Sequence, residues 1–375
     1  MSIRKPSGGP RNNSNGLLLA ILLVLLVGVI ALVYFLFFRP IPFPQDGITF
    51  TTQEEDAAIF STPNGLIVVD GTVLTRKSDA FEDIWSIALP ETGSRAAASE
   101  SLTAVWSDQR VIVFNSAGTL LQHMSPPGRV EAMACGSDSF ALLCEENGQR
   151  DIYIYKAVSG SLIQKIQFPD QAVNAMRFFG ENSSYLWAAV TDVFYNQVTS
   201  HLKVFHPGQS LLVTITVSND VITDCYAGIN TVYLLGTDNL YLYDLAGNLI
   251  QKTGVYGWER LDGACNEGVL ELVMAPAGLS AEKAPLGKLR YLRMDGTTVT
   301  DNVFDVSVGI RWAALERKFI IAADQARYEV LTFTGKVKNS FVAPQPIQEL
   351  ISLEGIHALV ARQDNGVFSC MKPGD

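Results

Sequence analysis

A repeated unit constrains the fold of this chain more than any other feature. An apolar strand, a turn containing glycine and a second strand recur, most clearly as VIVFNSAGTLLQ (111–122), IYIYKAVSGSLIQ (152–164), LKVFHPGQSLLV (202–213) and LYLYDLAGNLIQ (240–251). With two weaker copies, the turn glycines are Gly118, Gly160, Gly208, Gly247, Gly296 and Gly335. Their separations of 42, 48, 39, 49 and 39 residues are typical of β-propeller blades, which repeat about every 40–45 residues.

Each unit has two further strands before the copy, and the second of these ends in an acidic or amide turn. A unit therefore contains four antiparallel strands, A to D, which is the number in a propeller blade. A pair of β-sandwiches does not require a recurring four-strand unit, and a parallel β-helix has shorter repeats. We expect an all-β propeller over residues 47–375.

The two ends of this region predict how the ring closes. The last unit reaches Gly374, 39 residues after Gly335, where its fourth strand should begin. An unpaired edge there would promote aggregation, so we expect GITFTT (47–52) to supply the missing strand. The strands within 57–89 then form a degenerate first blade and the number of blades is eight. If DIWSIAL (83–89) is itself the closing strand, the number is seven.

An apolar segment near the N-terminus predicts a membrane anchor. Residues 17–38 carry no charge over 22 residues, and at 1.5 Å per residue such a helix spans the roughly 30 Å of a bilayer core. The alternative is a cleaved signal peptide. Its apolar region would be unusually long, because about 7–15 residues are typical, and no small-x-small cleavage site follows. We therefore predict an uncleaved, single-pass signal-anchor helix.

The charges on either side predict its orientation. The tail, residues 1–16, contains Arg4, Lys5 and Arg11 and no acid, so it should remain in the cytoplasm. A proline-rich spacer (39–46) leads to the propeller, which we place on the extracytoplasmic side of the cell membrane. Beyond the tail, 25 Lys and Arg face 38 Asp and Glu, a balance that argues against nucleic acid as a partner.

Two family resemblances accompany the repeats. The units resemble quinoprotein-type (PQQ-like) and WD40-like propeller repeats; the quinoprotein repeat ends in Gly-x-x-x-Trp. VLTRKSDAFEDIWSI (73–87) is similar in spacing, but the residue four before Trp85 is Phe81. In the other copies, the tryptophan position holds Gln122, Gln164, Leu212, Gln251, Thr300 and Asn339. The resemblance therefore implies the fold and no quinone cofactor.

The order of tail, anchor and propeller is similar to a family of membrane-anchored propeller proteins seen in clostridial-type Gram-positive bacteria. That resemblance covers nearly the whole chain and implies no particular activity.

Motifs for chemistry are missing. The four histidines lie in no metal-ligand spacing, and no Gly-x-Ser-x-Gly elbow or phosphate loop occurs. Five cysteines are an odd number and are too few for a disulfide framework, so we expect buried thiols. We predict no catalytic residue, no metal and no cofactor.

Charged residues on the predicted A strands are the candidate ligand-binding site. A strands line the channel of a propeller, and those here carry Glu131, Arg177, Asp224, Arg260 and Arg311, with Trp258 and Trp312. Arg177 and Arg260 precede their B strands by similar intervals, so we expect them at equivalent places. These charges form either ion pairs between blades or a mixed-charge pocket for a small ligand or peptide.

The function that best fits these features is a binding or scaffold module of the cell envelope, with a protein or small-ligand partner. The longest loops, 192–201 and 275–288, both connect B to C strands and should share one face. The alternative is an extracytoplasmic quinoprotein-like or glycan-processing enzyme. A third class is an envelope-assembly or sensor protein that acts with a membrane partner.

Overall fold

The structure is a computed structural model. It describes residues 26–29, 48–54, 57–62, 64–90, 95–180, 183–192, 197–228, 230–278, 285–316, 318–353 and 358–371. The chain divides into two units, Met1–Pro42 and Phe43–Asp375. In the first unit, residues 26–29 are helical. Nowhere in the described ranges is there a helix long and apolar enough to cross a bilayer. The remainder of the predicted anchor (17–38), the tail (1–16) and the spacer (39–46) lie outside the described residues.

The second unit consists of eight antiparallel sheets of four strands each. The first strand, β1 (Ile48–Thr51), belongs to the last blade. Blade 1 contains β2 (Ala58–Thr62), β3 (Gly65–Asp70), β4 (Val73–Ser78) and β5 (Asp83–Ala88). Blade 2 contains β6 (Arg95–Ala98), β7 (Leu102–Trp106), β8 (Val111–Asn115) and β9 (Leu120–Met124). Blade 3 contains β10 (Arg129–Cys135), β11 (Ser139–Glu146), β12 (Gln149–Lys156) and β13 (Leu162–Gln167). Blade 4 contains β14 (Gln171–Phe179), β15 (Tyr185–Asp192), β16 (Thr199–Phe205) and β17 (Leu211–Ser218).

The second half of the ring continues the same pattern. Blade 5 contains β18 (Ile222–Ala227), β19 (Thr231–Gly236), β20 (Asn239–Asp244) and β21 (Leu249–Gly254). Blade 6 contains β22 (Trp258–Asn266), β23 (Val269–Pro276), β24 (Lys288–Asp295) and β25 (Thr298–Asp305). Blade 7 contains β26 (Trp312–Glu316), β27 (Phe319–Ala323), β28 (Arg327–Leu331) and β29 (Val337–Val342). Blade 8 contains β30 (Ile347–Leu353), β31 (Ala358–Gln363), β32 (Val367–Met371) and, as its D strand, β1; a 3-10 turn at Asp364–Gly366 joins β31 to β32.

The blades form a closed ring. Each A strand contacts the A strand of the next blade, and β30 contacts β2. Since strands within a blade alternate in direction, connections from D to A and from B to C emerge at one end of the ring, which we call the upper face. Connections from A to B and from C to D emerge at the other end, the lower face. The predicted fold, with eight blades rather than seven, is confirmed.

The N-terminal strand closes the ring as predicted. Strand β1 pairs antiparallel with β32, from Ile48 opposite Cys370 to Thr51 opposite Val367. Phe50 stacks on Phe368 with ring centroids 5.2 Å apart. The chain then enters blade 1, where the backbone amide of Glu54 donates to the Asp70 carboxylate at 2.9 Å. Residues far apart in sequence thus share one blade, and the edge of β32 is paired, which leaves β1 as the outer strand.

The cores lie between neighbouring blades. In β11, Phe140, Leu142 and Cys144 pack toward blade 2, whereas Ala141 and Leu143 pack toward blade 4. Both faces of the sheet are therefore buried, which explains why the B strands read as continuous apolar runs rather than alternating ones.

A docking contact joins blade 1 to blade 2. The Trp85 indole N–H donates to the Ser116 carbonyl oxygen at 3.0 Å, and a Cβ at Gly118 would lie 2.9 Å from the indole ring. Phe81 takes the place of the turn glycine in blade 1. It has φ +64°, and its amide donates to Ser78 O at 3.0 Å, as that of Gly118 does to Asn115 O. The Gly-x-x-x-Trp spacing is kept, with phenylalanine in the left-handed conformation.

Glutamines make the equivalent contact in the next blades. The Gln122 side-chain amide donates to Val158 O at 2.9 Å, and that of Gln164 donates to Gln209 O at 3.0 Å. Each acceptor lies in the turn between strands C and D of the following blade. The residue that departs from the quinoprotein pattern therefore still docks one blade on the next.

The cysteines are free thiols, as expected. All five lie within the described residues; four are buried and Cys265 is half-buried. Burial raises the pKa of Cys135 and Cys144 to about 12, so these thiols pack as small apolar side chains.

Candidate binding surfaces of the propeller

Five of the A strands contain a β-bulge near their upper end, which decides where the charged candidates point. The extra residues are Glu131, Asn174, Thr223, Leu261 and Gln348. A bulged residue has no partner on the neighbouring strand and its side chain is redirected. These bulges also provide a common reference point for comparing the A strands.

Glu131 belongs to an ion-pair cluster at the upper end of blade 3. Its carboxylate lies 3.0 Å from Arg129 Nη2 and 3.0 Å from Arg150 Nε. Arg129 also pairs with Glu145, and that hydrogen bond lowers the pKa of Glu145. Glu131 is therefore bound within its own blade.

Asp224 and Arg260 are the two candidates that the structure brings together. Arg260 Nη1 lies 3.0 Å from Asp224 Oδ2 and donates to the Tyr226 hydroxyl at 2.6 Å. The Arg260 guanidinium also lies 5.9 Å from the centre of the Tyr226 ring. The pair joins blade 5 to blade 6, so at this position the ion-pair interpretation describes the contact.

Arg177 lies elsewhere, and the expected equivalence of Arg177 and Arg260 is wrong. Arg177 follows the bulged residue Asn174 by three positions, whereas Arg260 precedes Leu261 by one. The offset of four residues places them about 13 Å apart along the strand direction. Arg177 is exposed toward the lower end, beside Cys225, whose pKa burial raises and the Arg177 charge lowers in part.

Arg311 lies one residue before β26, so its predicted position on an A strand is wrong. It is half-buried in the connection from blade 6 to blade 7, where its backbone amide donates to Ala323 O at 2.8 Å. Trp258 and Trp312 begin β22 and β26. The five charged candidates therefore lie at four positions: blade 3, the junction of blades 5 and 6, the lower end of blade 4 and the connection before blade 7.

Sequence analysis missed Asp262, which corresponds to Asp224 one blade on. Each follows its bulged residue directly and accepts a hydrogen bond from the next backbone amide, at 2.8 Å in both. Asp262 also accepts the Leu315 amide of blade 7 at 2.7 Å. Burial raises the pKa of Asp262, although the Leu315 amide opposes this. An aspartate recurring 38 residues apart, at 224 and 262, was the signal.

Two apolar turns project from the upper face. Both have glycine in the left-handed conformation at the third position, Gly257 at φ +78° and Gly309 at φ +97°, as type II turns require. The residues before these glycines are Tyr256, 81% exposed, and Val308, 96% exposed. They lead into blades 6 and 7.

A third apolar residue continues the series at the entry to blade 8. Val342 is 86% exposed at the end of β29, followed by the exposed Pro344 and Pro346. We call Tyr256, Val308 and Val342 the apolar arc. Single exposed apolar residues are common, but a series on one face is typical of a binding surface.

The arc is held by the loops beside it. Gly257 O accepts the Ala277 amide at 2.9 Å, and Ile310 O accepts the Leu286 amide at 2.6 Å. Arg290 donates to Gly254 O at 2.9 Å while it lies on the Trp258 ring. These contacts connect both turns to the long loop between β23 and β24, so the arc is preorganised. Sequence analysis missed it, although the tetrapeptides VYGW and SVGI carry the signal.

Charged residues of both signs lie on the face that carries the arc, and Arg327 Nη2 donates to Val308 O at 3.4 Å. Glu259 and Asp364 are exposed on the upper face, and the Asp305 side chain is 82% exposed, 3.7 Å from Lys288. In the residues that the structure describes, no group of three or more His, Cys, Asp or Glu side chains could hold a metal ion.

The fold and these surfaces define an eight-bladed β-propeller whose upper face carries the apolar arc. The chain matches no known protein-family model and no curated protein sequence. It is similar in structure to BamB from Moraxella catarrhalis, with TM-score 0.60 and 12% identity, over 87% of this chain and 96% of that one.

Two further solved structures are similar. The Dos1 propeller has TM-score 0.56 and 11% identity over 88% of this chain and 95% of its own. The dihydro-heme d1 dehydrogenase NirN, solved in complex with DHE, has TM-score 0.56 and 11% identity over 85% of this chain and 72% of its own. At these identities the likeness establishes the fold alone, and it leaves open whether this chain is an enzyme.

Proposed function

We propose that this chain is a membrane-anchored, extracytoplasmic propeller that binds a protein partner of the cell envelope through the apolar arc. The observation that carries the proposal is the presence of Tyr256 and Val308 at the tips of two preorganised turns on one face. Large exposed apolar side chains at fixed positions are what protein interfaces use as anchors.

The energetics favour such a role. Burying a valine side chain in an interface contributes roughly 1.5–3 kcal/mol, and a tyrosine adds contact area at a low cost in conformational entropy. Because backbone contacts already hold the turns, little further ordering is needed on binding.

The direction of the chain supports the choice of face. Strand β1 begins at Ile48 on the lower face and ends at Thr51 toward the upper face. The arc therefore lies on the face opposite the N-terminal end of β1. The long B-to-C loops, 192–201 and 275–288, begin and end on the arc's side of the ring.

A pull-down with matched variants tests the proposal. The full chain would be recovered from solubilised membranes as wild type, as the double variant Tyr256→Ser/Val308→Ser, and as Val158→Ser. Val158 is 73% exposed in a lower-face turn. A protein identified by mass spectrometry would be purified and its Kd measured against all three forms. We expect affinity to fall at least tenfold for the double variant and to stay unchanged for Val158→Ser.

If the partner binds all three forms with the same Kd, the proposed surface is wrong. The same holds if a form that lacks residues 278–286 binds the partner as tightly as the wild type. The enzyme alternative has its own test: absorbance of a bound quinone, or turnover of envelope glycans by the purified chain, would replace the binding proposal.

A further inference from the structure

A groove of about 830 Å³ lies between blades 6 and 7 on the lower face, away from the arc and the channel charges. Its walls include Glu267, Glu271, Arg293, Asn302 and Phe333. Its size is typical of small-ligand sites, and charged, amide and aromatic groups converge in it.

Glu271 sets this groove apart from the other spaces between blades. It lies in the middle of β23, whose sequence VLELVMAP is otherwise apolar, and its side chain is 18% exposed. Its Oε1 atom accepts the Tyr291 hydroxyl. Among the described residues, its Oε2 atom has no hydrogen-bond donor. An acid in a buried strand is costly unless something pairs with it.

The charges of the groove favour a cation. Arg293 Nε lies 3.8 Å from Glu271 Oε1 and Arg293 Nη2 lies 3.3 Å from Asp295 Oδ2, so one guanidinium is shared between two carboxylates. Glu267 adds a second carboxylate from the turn between β22 and β23. It adopts φ +50°, a conformation that a non-glycine residue rarely takes.

An aromatic wall completes the groove. Phe333 stacks on the buried ring of Tyr291 with centroids 4.1 Å apart and planes 4° apart. The Asn302 side-chain amide donates to Phe333 O at 3.0 Å, which fixes the turn that carries the ring. Carboxylates beside an aromatic ring favour organic cations, which gain both an ion pair and a cation–π contact.

We propose that this groove binds an organic cation, an ammonium or guanidinium group on an alkyl chain, between the carboxylates of Glu271 and Glu267 and beside the Phe333 ring. Two sources share this chemistry: a free polyamine, and the lysine or arginine side chain of a protein segment. This proposal is independent of the upper-face proposal, since no residue is common to the two.

Calorimetry on the full-length purified chain tests it with named probes. Spermidine represents the free polyamine, Ac-Gly-Lys-Gly-NH2 the side-chain source, and Ac-Gly-Nle-Gly-NH2 the uncharged control. We expect saturable binding of at least one cation, weakened at least about tenfold by Glu271→Gln because a charge-assisted contact is lost. Glu259→Gln, an exposed acid on the upper face, is the matched control and should leave Kd unchanged.

Glu271→Gln could also disturb the fold, so Glu267→Gln provides a second test on an exposed turn. It should weaken binding with no change in Tm. The proposal is overturned by equal binding of the norleucine peptide, by no saturable binding of either cation, or by cation binding that neither glutamate variant weakens. Binding of a neutral sugar such as chitotriose in preference to both cations would also overturn the assignment to cations.

Discussion

The contact between Trp85 and Gly118 shows how single residues hold neighbouring blades together. The indole ring covers the glycine and donates to the turn that contains it. In blades 2 and 3, the glutamine amides of Gln122 and Gln164 reach the equivalent turns. In blades 1 to 3 a planar side chain with an N–H donor makes this contact, so glutamine replaces tryptophan there without loss of the hydrogen bond.

Replacing Gly118 by alanine tests this docking. The added Cβ would lie 2.9 Å from the Trp85 ring, and φ is +80°. We expect Gly118→Ala to lower the free energy of unfolding through both the left-handed backbone, about 1–2 kcal/mol, and the steric contact. Gly247→Ala is the matched control, because φ is +83° there and the nearest atom is 3.9 Å away. Equal losses for the two variants in denaturant unfolding would contradict the role of the contact.

Asp262 links blades 6 and 7 through backbone amides, and its titration gives a pH-dependent prediction. Because burial raises the pKa of Asp262 above its unfolded value, the group favours folding most when protonated. Its contribution is complete below the unfolded pKa and is lost as pH rises through the folded pKa.

Asp262→Asn should remove that pH dependence. The substitution should also lower the free energy of unfolding by about 1–3 kcal/mol. The reason is that asparagine has one acceptor oxygen, so either the Gly263 or the Leu315 amide loses its partner. Unfolding in denaturant at pH 4 and at pH 7 would measure both effects. A difference between variant and wild type that does not change with pH would contradict the assignment.

At the scale of strands and turns, local patterns in the sequence predicted a large part of the fold. Gly118, Gly247 and the other turn glycines mark the hairpins because a tight turn needs φ above zero. The register of the A strands could not be predicted from the sequence. Arg177 and Arg260 lie at similar intervals before their B strands, but the turn after β14 has five residues and the turn after β22 has two. Turn length and bulges depend on packing, which the spacing of two arginines does not reveal.

The upper-face candidates were missed for a related reason. From the sequence alone, Tyr256 in VYGW is indistinguishable from a buried core residue. Its exposure follows only from the projection of its turn from the ring. Exposure of Tyr256 and Val308 follows from the length of the D-to-A connections and from the loop beside them. Four of the five channel charges were placed on the correct strands, and Arg311 lies just before its strand. Whether Glu131 or Arg177 converges with its neighbours depends on the bulges.

Strand β1 gives a prediction for ring closure. Phe50 stacks on Phe368 inside blade 8, with the Lys77 ammonium 4.7 Å from its ring centre. We expect Phe50→Ala to lower the free energy of unfolding by at least about 1 kcal/mol and to speed hydrogen exchange in β32. Ile48→Ala, at an exposed position of the same strand, is the control. Unchanged exchange in β32 for Phe50→Ala would show that β1 does not secure the ring.

At the scale of the whole molecule, one strand, β1, both closes the ring of blades and marks the face on which the propeller chain begins. The strand that closes the ring is also the one through which the N-terminal segment enters, at the lower face. Strand β1 begins on the lower face, and the apolar arc lies on the upper face. The glycine repeat predicted the eight-bladed ring and its closing strand. The partner surface required knowing which side chains the folded ring leaves exposed.

Site-specific photo-crosslinking in the native membrane tests the proposed partner surface most directly. p-Benzoylphenylalanine would be placed singly at Tyr256, at Val308 and, as the lower-face control, at Val158. We predict that positions 256 and 308 capture the same protein and that position 158 does not capture it. Capture of that protein equally well from position 158, or no capture from 256 and 308 in a folded chain, would contradict the assignment of the upper face as the binding surface.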